Sequence, residues 1–361
     1  MDLYKIAVSN LKGIGKQRLK QISQRTNGIN VLFEHDLNYL VKHFKIKKEL
    51  LIRMNIPQAI SLARKQMDFN EKYGIQTLFM EDDKYPGLLK ECCDAPITLF
   101  YKGNVSLKKR MLSIVGTRRA SSYGKQNVEK IIASLSGQDI IVISGLAHGI
   151  DTFVHECCLE HNVPTIGVIG HGLDTIYPRS NRNLAKAMLN NGGLLTEYGI
   201  DHEISKYCFP KRNRIIAGMA EATIVVESPS KGGAIITAEI ANGYNREVMA
   251  IPGSVFSDLS KGCNALIKTQ KAHLLEETGD LFRLMGWNTN PTKINATIKL
   301  TNHEARIVEL LQKEKETHFD TLVSKLDLSV ANLHALILNL ELKQIILALP
   351  GSLFKLNHQS Y

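Results

Sequence analysis

The sequence predicts an α/β protein built on a doubly wound, mostly parallel sheet, with an all-helical segment before it and a helical unit ending in a hairpin after it. Three observations predict this. Between about residues 110 and 285, short β-rich apolar runs recur, each closed by glycine and followed by a helical pattern. These runs are apolar throughout instead of alternating, as strands are when helices cover both faces of a sheet. Before about residue 75, and again after about residue 299, apolar positions recur at helical spacing.

The elements follow in order. Residues 1–75 show no strand-like runs, and "LKGIGKQRLK" sets Gly13 and Gly15 between two helical patterns. Paired glycines there allow a tight turn whose amides approach a phosphate backbone, as in a helix-hairpin-helix, or an ordinary helix–helix turn. "MLSIVGTRRASSYG" reads as strand, turn and helix start, and "DIIVISGLAHGIDTFVHECCLEHN" as strand, glycine turn and helix. "PTIGVIGHGL" and "GGLLTEYG" are further strands. "ATIVVESPSKGGAIITAEIANGYN" repeats strand, turn and helix, and "REVMAIPG" is another strand. The whole is Rossmann-like over about 110–285, and such sheets bind ligands beyond the carboxyl ends of their strands. Residues 286–298 are polar, hold the one Trp and a Pro, and read as a linker. Helical patterns at about 302–314, 318–327 and 329–343 precede "IILALPGSLFKL", two short strands joined at Pro350-Gly351. Three helices and a hairpin suggest a winged helix over 299–361.

A chain of 361 residues with 44% hydrophobic and 22% charged content is globular and long enough for two or three domains. No apolar run approaches the roughly 18 residues of a membrane span, and "MDLYKIAVSN" lacks a signal-peptide pattern. The expectation is a cytoplasmic protein without a membrane partner. Its six cysteines form no C-x-x-C pair and read as reduced thiols. Net charge is +10 and uneven: residues 1–75 hold 14 Lys and Arg against 6 Asp and Glu, while 299–361 hold 7 of each. Such an excess favours polyanions, or is simply a solvated basic surface.

The densest cationic cluster is "FPKRNRIIAG", where Lys211, Arg212 and Arg214 crowd around Asn213 beside Phe209. Arginine forks and lysine point charges suit phosphates, and an aromatic ring suits a base. Arg118 and Arg119 follow the strand "MLSIVG" directly. Placed at strand carboxyl ends, the two clusters flank one crevice lined by glycine amides. The competing expectation is that Arg212 or Arg214 makes a structural salt bridge, with Glu197 or Glu227. No G-x-x-x-x-G-K-[ST] and no clean G-x-G-x-x-G is present, so neither a P-loop nor a dinucleotide cofactor is expected. His148, Asp151 and His155 have i, i+3, i+7 spacing, with Cys157, Cys158 and His161 close behind. Gly149 sits within the turn and packing explains His155, so no metal is expected.

These segments, "VGTRRASSYG", "SGLAHGIDTFVHE", "GLDTIYPRSN", "FPKRNRIIAG", "VVESPSKGGAIITAEIANGYNREVMAIPG" and "KGCNALIKTQKA", resemble the DprA/Smf family of DNA-processing proteins over about 78–285. The flanks resemble, less specifically, that family's N-terminal helical domain (SAM/helix-hairpin-helix-like, 1–75) and C-terminal winged helix. The resemblance implies a single-stranded DNA-binding core (76–285), homodimerisation, and loading of a RecA-type recombinase onto DNA coated by single-strand-binding protein during natural transformation. It implies no catalysis. It associates Arg118, Arg212 and Arg214 with DNA, with Lys211 as a local addition. The expected interface is Gly116, Thr117, Arg118, Arg119, Ser144, Gly145, Phe209, Lys211, Arg212, Asn213, Arg214, Lys231, Gly232, Gly233 and Asn264. Thr117 stands where the family has Ser, Lys231 and Ala234 depart from its S-G-S/T turn, Cys263 replaces a hydroxyl residue, and His171 a small one. LOG-type nucleotide phosphoribohydrolases carry P-G-G-x-G-T-x-x-E. "KGGAIITAE" keeps Gly232, Gly233 and Glu239 but has Ile235 and Ile236 where Gly and Thr belong, which disfavours nucleotide hydrolysis. The candidate recognition helix, "SVANLHALILNLELK", has Lys343 as its only fixed positive charge, too little for a duplex reader.

Overall fold

The computed structural model describes residues 2–14, 19, 21–22, 28–287, 301–314, 316–326, 328–343 and 345–356. The chain divides into two compact units, Met1–Thr292 and Lys293–Tyr361.

The first unit opens with helices, the longest being Ile56–Tyr73. Asn55 caps it by accepting from Gln58 N, and Gly74, in the left-handed region, ends it. Ala59, Ala63, Gln66 and Asn70 form its buried face. The two polar members of that face tie the helices to the sheet. Gln66 accepts from Ile200 N at 2.7 Å and donates to Asn70, and Asn70 donates to Thr77 at 3.0 Å. Gly13 has φ +71° beneath the side chain of Arg53; Gly15, the other glycine of the expected turn, lies outside the described residues.

The sheet comprises β1 (Gln76–Phe79), β2 (Thr98–Gly103), β3 (Arg110–Val115), β4 (Ile140–Ser144), β5 (Thr165–Val168), β6 (Gly192–Thr196), β7 (Ala222–Val225), β8 (Glu247–Ala250) and β9 (His273–Leu274). Its order is β1-β2-β6-β5-β4-β3-β7-β8-β9. The seven strands from β6 to β9 are parallel, while β2 pairs antiparallel with both β1 and β6. The mostly parallel, doubly wound sheet is therefore as the sequence predicts. The antiparallel pair β1–β2 and the two-residue β9 are additions to it. Separate apolar layers cover the two faces, one containing Ile141, Ile143 and Val225, the other Leu112, Ile114 and Val142. Five of the six cysteines are buried and Cys93 is exposed.

Two described residues of the expected linker pack into this unit. Gly286 (φ +60°) ends the helix Thr278–Met285, and Trp287 is buried against Phe282 with its indole donating to Glu221. The rest of the linker, 288–298, lies outside the described residues.

The second unit holds the helices Asn302–Glu314, Phe319–Leu326 and Val330–Leu342. They pack on a three-stranded antiparallel sheet, β10 (Glu316–His318), β12 (Leu353–Leu356) and β11 (Ile346–Leu349). This is the winged helix, with its own core around Leu322, Leu333 and Leu340.

Candidate nucleic-acid interface

The strand order reverses at β3: the chain winds outward through β4, β5 and β6, then returns to place β7 on the other side of β3. The carboxyl ends of β3 and β7 therefore part into the crevice where open α/β sheets bind ligands. A cleft of about 880 Å³ lies there.

Its floor is the turn after β3. Thr117 N donates to Glu227 O at 2.7 Å, and Thr117 O accepts from Ile150 N at 3.0 Å. Gly116 fits because a Cβ there would stand 2.5 Å from Ile150 Cγ1. Gly149, at φ +81°, lets the turn after β4 press onto the backbone of Thr117 and Arg118. Thr117 Oγ1 accepts from Arg119 N, so the hydroxyl retained at this position shapes the turn. Ser121 caps the next helix, Ser122–Leu135, and both its N and Oγ donate to the buried carboxylate of Glu227. The turn is thus fixed on three sides, and Arg118 and Arg119 project from it exposed. The Arg118 guanidinium lies 5.9 Å from the Phe209 ring centroid, which in turn packs on Tyr177.

One wall is the start of the helix Cys208–Met219, with Phe209, Pro210 and Asn213 facing the cleft. The other is the turn 228–233, where Gly232 precedes the helix Gly233–Gly243 and sits so close to Ser228 that a Cβ would meet Ser228 Oγ at 2.1 Å. Asn213 spans the two walls, its amide 3.5 Å from Gly233 O. Gly233 and Lys231 are exposed on the rim and Ala234 is buried in it. Helix N-termini on both walls add partial positive charge.

The expected cations of this helix do not all face the cleft. "FPKRNR" is helical, so successive residues turn by about 100° and its cations point in different directions. Lys211 is exposed beside His202, outside the cleft lining. Arg212 lines the cleft but is only 5% exposed; its Nη1 donates to Val168 O and its Nε to Asn213 Oδ1. Beneath it lies Asp151. Burial pushes the Asp151 carboxyl up and the Arg212 guanidinium down, and each charge opposes the other's shift. Arg214 bonds Asp94 O at 2.7 Å and pairs with Glu197. The structural alternative therefore holds for Arg214, with Glu197 as partner, whereas Glu227 serves Ser121.

Ser144 and Gly145 lie under the floor. Ser144 is fully buried and donates to Ile114 O. A Cβ at Gly145 would strike Asp151 Oδ2 at 2.2 Å, so glycine here makes room for the Asp151–Arg212 pair. Asn264 is bonded through both amide atoms to Gly253, bracing the loop after β8. His155 is buried, with Nε2 donating to Gly145 O and Nδ1 facing Thr165 Oγ1 at 2.7 Å; burial pulls its pKa down to about 4. His148 precedes its helix, which starts at Ile150. Sequence reasoning missed Lys206, Tyr177 and Ser228 as cleft-lining residues, and Glu227 as the clamp. Lys206 had a charge signal, lying five residues ahead of Lys211.

The fold and cleft define a class: a Rossmann-like α/β protein with a cationic switch-point crevice and a separate winged-helix unit. The chain belongs to the DNA recombination-mediator protein A family, whose model matches residues 76–286, and the DprA winged helix domain matches 291–352. It is 45% identical over 188 residues to DNA processing protein DprA of Streptococcus pneumoniae, covering 52% of this chain and 66% of that one. It is 38% identical over 229 residues to DprA of Bacillus subtilis, covering 63% and 74%. The crystal structure of the S. pneumoniae protein superposes with TM-score 0.66 at 34% identity, over 78% of this chain and 96% of that one. A structure of DNA processing protein A from Helicobacter pylori, concerned with that protein's single-stranded DNA binding mode, matches with TM-score 0.54 at 26% identity, over 59% and 96%.

Proposed function

We propose that this protein is a recombination mediator that binds single-stranded DNA in the switch-point cleft. It protects incoming strands and loads a RecA-type recombinase onto them in the cytoplasm during natural transformation, against competition from single-strand-binding protein and as a homodimer. The observation that carries this is the pair of exposed arginines, Arg118 and Arg119, on a rigid turn between an aromatic wall and a glycine-lined helix start. Cations for the backbone beside a ring for a base are what sequence-tolerant single-strand binding requires. The H. pylori relative's binding mode supports the ligand class.

The reading is one of binding and not catalysis. Glu239, the acid shared with the phosphoribohydrolase pattern, pairs with Lys271 at 3.3 Å and is absent from the cleft lining. Ile236 occupies the wall where that pattern has Thr.

The test is fluorescence anisotropy with labelled oligo-dT and a matching duplex over a salt series, on wild type and Arg118→Ala/Arg119→Ala. The expected result is tight single-strand binding, weak duplex binding and loss in the folded double variant. Unchanged affinity in that variant removes the site assignment. No single-strand preference turns the cleft over to mononucleotides, to be screened for binding and hydrolysis. A nucleation assay on strands coated with single-strand-binding protein then tests recombinase loading.

A further inference from the structure

We infer that the loop 253–260, after β8, is a base-stacking platform that extends the single-strand path beyond the cleft; this rests on the cleft reading above. Phe256 at its tip is 94% exposed and Val255 beside it 72%. The tip is nonetheless ordered from within. Phe256 N donates to Ser254 Oγ, Ser257 N to Ser254 O at 3.0 Å, and Ser260 N to Ser257 O at 3.1 Å.

The base of the loop is joined to the cleft on two sides. Leu259 O accepts from Ser228 N at 2.7 Å, and Ser228 O accepts from Gly262 N at 2.9 Å, so the loop continues the wall that Ser228 and Gly232 form. Tyr123, four residues after Arg119, donates to Pro252 O at 2.6 Å. A ring held out by a hydrogen-bonded turn is preorganised for a flat partner.

The chemistry selects the occupant. One ring and one valine, flanked by Ser254, Ser257 and Asp258, fall far below the roughly 800 Å² per partner of a stable protein interface. A base stack needs one ring. Asp258 and Lys261 pair at 2.6 Å, so the loop adds little net charge, and the exposed Lys231 on the adjoining turn is placed for the phosphate. The platform should therefore strengthen binding of strands long enough to leave the cleft, without steepening the salt dependence.

The experiment uses oligo-dT of about 8 and about 20 nucleotides, on full-length wild type and on Phe256→Ala, Phe256→Leu and Phe256→Trp. The alanine and leucine variants should bind the longer strand about ten-fold more weakly and the shorter one unchanged. In Phe256→Trp the introduced indole, exposed unlike the buried Trp287, should be quenched by the longer strand. Equal affinities in wild type and Phe256→Ala overturn the platform and leave the cleft standing. A leucine variant that matches wild type shows a merely apolar contact, and a change of mass in light scattering shows a contact between copies; either overturns it. Failure of wild type to bind any oligo-dT overturns cleft and platform together.

Discussion

Arg214→Ala separates fold from function within the basic cluster. Arg214 bonds Asp94 O and pairs with Glu197, with side chains 13% and 16% exposed respectively. The substitution leaves the Glu197 carboxylate without its partner in a nearly dry position, and breaking such a pair by deleting one member costs about 3–5 kcal/mol. Residual exposure of both groups favours the lower end, about 3 kcal/mol. In a unit of this size each kcal/mol moves Tm by about 2 °C, so Tm should fall by about 6 °C in a circular dichroism melt. Adding Glu197→Gln should recover part of the loss, because the stranded charge is gone. At a temperature where the variant remains folded, its oligo-dT affinity should equal wild type. An unchanged Tm together with lost binding would refute the reasoning and return Arg214 to the DNA.

The opposite result is expected of Arg118→Ala/Arg119→Ala: Tm holds, affinity falls, and the slope of log K against log salt drops by about 1.4 for two lost phosphate contacts, as titrations at several salt concentrations will read. His155 gives a pH dependence. Its ring is neutral when folded, with a pKa of about 4 against about 6.5 unfolded, so its contribution is complete above pH 6.5 and is lost as pH falls toward 4. Urea midpoints should therefore decline over that window more steeply in wild type than in His155→Asn, by up to about 1.4 kcal/mol per pH unit; parallel profiles refute it. The fragment 299–361 should bind duplex only weakly, since Lys343 already pairs with Glu304 at 2.7 Å and Lys325 with Glu314. Salt-dependent duplex binding at specific-site affinity would sink that prediction.

The parallel sheet was legible because each buried strand is a run of apolar residues ending in glycine, a pattern local to the chain. β2 was not. Its run "TLFYKG" follows a turn-rich stretch and pairs with β6 far along the sequence, which no local pattern announces. Arg118 and Arg119 were legible because a residue directly after a central strand of a doubly wound sheet has only the crevice to face. The different settings of Arg212, lining the cleft from a buried position, and Arg214, paired with Glu197, were not legible because the stretch was read as a cluster and not as a helix. Pro210 fits a first turn, and helical phase then sends 212 inward and 214 toward Asp94. Even with that phase, apart from the adjacent Asn213 the acceptors of those two arginines lie 44, 120 and 17 residues away, so composition could not name them.

Seclusion of five of the six thiols gives the folded chain a chemical simplicity that its sequence lacks. Burial raises the Cys92 thiol and holds Cys157, Cys158 and Cys263 well above the usual thiol range. A maleimide or iodoacetamide therefore meets one accessible sulfur, Cys93, next to the Asp94 that anchors Arg214. Mass spectrometry of briefly alkylated protein should count one adduct on intact molecules and six on opened ones. A fluorophore can be attached at Cys93 without engineering the chain.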